Sequence, residues 1–197
     1  MSFINKNIEV VVLTGLGKYQ EDWALVYLEP NNQYSDCGGR LTVNINDDYV
    51  GSHFFSHCGG DSFKAFVGRC GHDYLIGKLF KTDHDMELET GEEIIKFIFN
   101  HPDLKATIKE QRATDMLTKE QLRGLYDNIQ NCEHGGANRI AEDMTQSEFN
   151  IAAQVFGDDW YWGGLFSTPN PLYAHHADIM KSVIEACREA VKEDAPV

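Results

Sequence analysis

The sequence predicts an α+β fold, an N-terminal antiparallel sheet of three to four strands packed by a mainly helical C-terminal two-thirds. Two observations predict it. Up to residue 57 the apolar residues alternate or run in short β-branched stretches, and from residue 61 they recur at three- and four-residue spacings. Strands that come first and helices that follow argue against a doubly wound parallel sheet, in which the two alternate. The 197 residues are 42% hydrophobic and 11% aromatic, enough for one substantial core. No fixed-period repeat or Pro/Gly/Ser-rich linker divides them, so a single domain over residues 1–197 is the expectation.

Ile8–Leu13 and Trp23–Leu28 are β-branched and aromatic runs separated by Gly15-Leu16-Gly17 and acidic Glu21-Asp22, as in a first hairpin. After the turn-rich Asn31–Gly39, Leu41, Val43 and Ile45 alternate with Thr42, Asn44 and Asn46 in a third strand. A fourth, Tyr49–Ser56, follows through Asn46-Asp47-Asp48. Helical spacing then takes over: Phe63, Phe66 and Val67, then Tyr74, Leu75, Leu79 and Phe80, with Asp61 as N-cap. Further helices are expected over Gly91–Asn100, Leu104–Ala113, Thr118–Asn131, Gln146–Phe156 and Ala177–Lys192. Thr118 with Gln121 has the pattern of a capping box. Glu133–Ala137 and the aromatic Trp160–Tyr173 read as loops.

The net charge of −14 is spread evenly: 15 acidic against 8 basic residues in 1–100, and 16 against 9 in 101–197. Such a field repels nucleic acid and anionic lipid, so direct binding to either is not expected, whereas a host protein or nucleoprotein complex with a basic surface is a natural partner. Acidic balance also serves plain solubility. No apolar stretch reaches the roughly 18 residues of a membrane span, and the N-terminus lacks the basic and small-residue features of a signal peptide. Five cysteines without a regular framework read as free thiols of a reducing cytoplasm.

Six features bear on chemistry. His57-Cys58-Gly59-Gly60-Asp61 offers a thiol, an imidazole and a glycine turn, but adjacent strand residues face opposite ways, and a strand end turning into a helix explains it equally. Cys58, Cys70, His72, Cys132 and His134 lack the tight paired spacing of structural zinc sites, so no metal and no cofactor is expected. His175-His176 reads as polarity at a helix N-terminus.

Asp83, Asp85, Glu87 and Glu89 alternate through Asp83–Glu89, with Glu92 and Glu93 just beyond. Extended, the row sets carboxylates about 6.6 Å apart on one face, able to hold a divalent cation for a small metal-dependent hydrolase or to imitate a phosphate backbone. A solvated loop leading into the Gly91 helix is the plainer reading. Gly157–Gly164 sets Asp158, Asp159, Trp160, Tyr161 and Trp162 among glycines, the residue types that dominate interface energetics; the alternative is that the tryptophans cap the core. Gly15-Leu16-Gly17 lacks the third glycine of a dinucleotide fingerprint.

From Thr42 to Phe80 run Asp48-Tyr49-Val50-Gly51-Ser52, then Gly59-Gly60-Asp61-Ser62-Phe63-Lys64-Ala65-Phe66, then Asp73-Tyr74-Leu75-Ile76-Gly77-Lys78-Leu79. This segment, about a fifth of the chain, resembles small accessory proteins of tailed phages and prophages. The resemblance carries over no catalytic residue. It implies a binding protein of the host cytoplasm that inhibits a nucleic-acid-handling defence complex, of anti-CRISPR or anti-restriction type, by competing for a basic channel as a nucleic-acid mimic would.

Overall fold

The computed structural model describes residues 8–31, 38–59, 62–132, 136–162 and 164–194. They form two compact units, residues 1–84 with 170–197 and residues 85–169, each with its own apolar cluster.

In the first unit β1 (Glu9–Leu16), β2 (Asp22–Asn31), β3 (Gly38–Ile45) and β4 (Tyr49–Phe55) make an antiparallel meander in chain order. Alternation decides its faces. Ala24, Val26 and Leu28 on β2 and Leu41, Val43 and Ile45 on β3 are buried, while the residues between them face outward. Turn chemistry fixes the register. Asn46 and Asp47 both adopt positive φ, as a type I′ turn requires, and the Asp48 N–H closes on the Ile45 carbonyl at 3.0 Å. The Asn46 side chain reaches back to β2, accepting from the Trp23 N–H at 2.9 Å. Gly15, at φ +71°, takes up the register shift between Thr14 and Leu16 where β1 ends on β2.

Three helices bury the inner face: α1 (Phe63–Arg69), α2 (His72–Leu79) and the long C-terminal α8 (Pro171–Glu193). The cap of α1 is Ser62, whose hydroxyl accepts from the Ala65 N–H at 3.1 Å; Asp61, expected there, lies outside the described residues. α8 starts six residues ahead of the expected Ala177. Asn170 caps it and Pro171 fits its first turn, where a missing N–H costs nothing.

The second unit holds β5 (Asp85–Glu87), α3 (Gly91–Asn100), α4 (Pro102–Ala113), α5 (Lys119–Gln130), α6 (Ala137–Asp143), α7 (Gln146–Phe156) and β6 (Ser167–Pro169). β5 and β6 pair antiparallel. α3, α5 and α7 each begin at a threonine capping box. Gly91 sits so close to the Ile129 carbonyl that no Cβ fits, which lets the start of α3 lie against the end of α5. Ile94, Ile98, Leu125, Ile129, Ile140 and Val155 centre the cluster. The sequence reading missed α6 and both short strands, whose few residues carry no resolvable period. Residues 32–37, within the expected turn-rich segment, and 133–135, within the expected Glu133–Ala137 loop, lie outside the described residues.

Candidate functional site

The acidic segment does not form one extended row. Only Asp85 and Glu87 share a strand face, in β5 opposite Pro169 and Ser167. Asp83 belongs to the first unit, where its carbonyl accepts from the Asn170 side chain at 3.0 Å. Glu93 is occupied within the fold: its carboxylate accepts from the N–H groups of Glu89 at 3.1 Å and Thr90 at 3.2 Å. Asp85, Glu87, Glu89 and Glu92 all lie on the surface of the second unit. Among the described residues, no three His, Cys, Asp or Glu side chains converge where an ion could be held.

The aromatic loop splits. Trp160, expected to face a partner, is 3% exposed and packs against Phe149, Phe156 and Phe166 at centroid distances of 5.6–6.1 Å. It is a core residue, because the turn begun at Gly157 folds its indole back onto α7. Its Nε1 has no hydrogen-bond partner among the described residues. Tyr161 is half-buried on Phe149 at 5.3 Å. Trp162 is 74% exposed, with exposed Asp158 and Asp159 just before it; its backbone N–H binds the Asp159 carbonyl at 3.0 Å. Of the two tryptophans only Trp162 is exposed, its ring centre 5.3 Å from that of Tyr161.

Tertiary structure adds a cleft that the sequence did not show. His72, Asp73, His84, Tyr173, Asp178 and Lys181 line a space of about 450 Å³ in the first unit. The Tyr173 hydroxyl donates to Asp73, whose carboxylate also lies 3.1 Å from His72 Nε2. That bond and burial push the Tyr173 phenol up to about 12. The six residues span more than a hundred positions, so no local pattern could have found the cleft.

The buried imidazole of His176 stands beside Phe80 at 4.3 Å and Tyr49 at 5.1 Å, with Nδ1 3.2 Å from the Thr82 hydroxyl. Burial first, and then the neighbouring His175, lower it to about 4. It is a core residue rather than N-terminal polarity, because α8 begins earlier than expected. Cys58 is buried while His57 is exposed, its Nδ1 3.1 Å from the neighbouring Ser56 hydroxyl. Cys58, Cys70, Cys132 and Cys187 form no disulfide; burial raises Cys70 and pushes Cys187 up to about 11. Cys37, Gly60, His134 and Gly163 lie outside the described residues.

Fold and surface define an acidic α+β protein with no helix among the described residues long and apolar enough to cross a membrane. The chain belongs to a phage protein family, Phage_phiTE_072, whose model matches residues 1–189. No curated protein and no solved structure matches it significantly.

Proposed function

We propose that this phage protein binds and inhibits a host protein with a basic surface, in the first place a nucleic-acid-handling defence complex. The observation that supports this is that one unit exposes both Trp162, with Asp158 and Asp159 just before it, and the carboxylates Asp85, Glu87, Glu89 and Glu92. Carboxylates draw a basic surface in from a distance, and an exposed indole supplies the desolvated contact that slows dissociation. Such a ligand competes with nucleic acid for a basic channel without needing a continuous carboxylate row. Phage membership supplies the context in which a host target makes sense.

Capture of host proteins on the immobilised chain, read by mass spectrometry and repeated with Trp162→Ala and with Glu87→Lys/Glu89→Lys, tests the proposal. A host nuclease, restriction or CRISPR component retained by the natural chain and lost by the variants is the expected result. A retained set unaffected by either variant overturns it.

A further inference from the structure

The outer face of the β1–β4 sheet exposes Val10, Val12, Val50 and Phe54 and carries few charges, and we infer that it is the interface of a two-fold symmetric dimer. The registers set its rows. Val12, Leu25, Asn44 and Val50 lie side by side across the four strands, as do Val10, Tyr27, Thr42 and Ser52, while Glu29, Arg40 and Phe54 follow on β2, β3 and β4. Val12 and Val50, at opposite edges of one row, are 61% and 64% exposed, and Val10 and Phe54 are exposed as well. The outward residues of β3, Arg40, Thr42 and Asn44, are polar, so these apolar side chains flank a polar centre, as at an interface with mixed contacts.

Charge decides the occupant. In a chain of net charge −14, the outward positions of these strands carry one acid, Glu29, and one base, Arg40, which are direct cross-strand neighbours; a second acid, Asp47, lies at the end of the face, where its carboxylate accepts from the Asn44 side chain at 2.7 Å. A basic host surface gains little from so sparsely charged a face. A second acidic copy meets its least repulsion there.

The row pattern fixes the symmetry. A two-fold axis along the strands, between β2 and β3, lays β1 over β4 of the second copy and β2 over its β3. Val12 then faces Val50 of the second copy, Leu25 faces Asn44, Tyr27 faces Thr42, and Glu29 faces Arg40, each contact occurring twice. Arg40 is already poised over the face, its guanidinium 3.4 Å from the Ser52 hydroxyl and 5.9 Å from the Phe54 ring centre. Face-to-face sheets pack about 10 Å apart and cross at about 30°, a separation that long Glu and Arg side chains span. Four strands about 4.8 Å apart and eight residues long at about 3.3 Å each give about 500 Å² per copy in projection. Both copies together reach the roughly 1,000 Å² that a specific interface needs.

Sedimentation equilibrium of the full chain at micromolar concentration tests this, with far-UV circular dichroism confirming that each variant is folded. The natural chain is expected at twice its monomer mass. Val12→Glu and Val50→Glu should each raise the dimer dissociation constant about tenfold or more, because each buries a charge without a counter-ion. Glu29→Arg and Arg40→Glu should each weaken association, and the double swap should restore it. A chain that stays monomeric, a dimer indifferent to Val12→Glu and Val50→Glu, or a double swap no better than the single changes overturns the inference. Capture of a host protein that is lost on Val12→Glu while the natural chain is monomeric would assign the face to that partner instead.

Discussion

Glu93 and Thr90 close the first turn of α3 on each other: the carboxylate accepts the Thr90 N–H at 3.2 Å, and the Thr90 hydroxyl accepts the Glu93 N–H at 3.2 Å. Among the acidic residues around β5, Glu93 therefore serves the fold as well as the surface charge. Glu93→Ala should lower stability by about 1 kcal/mol, the usual worth of a cap. Glu93→Gln should keep most of the cap and remove the charge. Thermal melts of the two variants, set beside the association rate with a captured partner, separate the structural role from the electrostatic one.

Trp160 and Trp162 should respond oppositely to truncation. Trp160→Ala empties a site walled by Phe149, Phe156 and Phe166 and should cost about 3–5 kcal/mol of stability with or without a partner. Trp162→Ala should leave stability within about 0.5 kcal/mol, yet weaken binding to a captured host protein by about 2 kcal/mol, chiefly through faster dissociation. Melting both variants and measuring dissociation of Trp162→Ala from the partner checks the contrast.

Acid should loosen the first unit through His176. Its folded-state value of about 4 lies below the ordinary 6.5, so between those values the unfolded chain binds the proton that the folded chain refuses. Stability should fall as pH drops from about 6.5 towards 4, by up to about 3 kcal/mol from this group. The readout is the difference between the natural chain and His176→Phe, in which contributions of the other ionisable groups cancel. That difference should be flat above pH 7 and change steadily from pH 6.5 to 5 in a series of thermal melts.

Alkali should act through Tyr173. Its phenol is raised from 10 to about 12, first by the hydrogen bond to Asp73, so the stability it lends is intact below pH 10 and disappears as pH rises through 12. Ultraviolet titration of the folded chain should show one phenol ionising near pH 12. Asp73→Asn should bring it down.

We propose that the two units unfold as one domain, since the chain passes between them twice, at residues 84–85 and 169–170. Calorimetry should show a single transition whose van't Hoff and calorimetric enthalpies agree. Two separate transitions would mean that each cluster is stable alone.

The sequence by itself determined the local structure. Period-two alternation set the inner face of β3, Asn46-Asp47 set a turn, and Thr118 with Gln121 set the start of α5, because each signal is complete within a few residues, whereas Trp23–Leu28 is apolar throughout and left the inner face of β2 to the register. It also determined the charge, and motifs between Thr42 and Phe80 carried the phage resemblance. Tertiary structure alone decided which exposed-looking groups are buried. Trp160 and Trp162 are two positions apart and chemically alike, but only Trp160 is folded back by the turn after Gly157 onto α7. His176 became core once Asn170 and Pro171 moved the start of α8 upstream. Tertiary structure also decided that α1, α2 and α8 cover the sheet while α3 to α7 bury a cluster of their own, since which apolar faces meet depends on contacts far apart in the chain. The neutral pairing of Glu29 with Arg40 likewise emerged only from the strand register, which brings residues eleven positions apart into direct opposition.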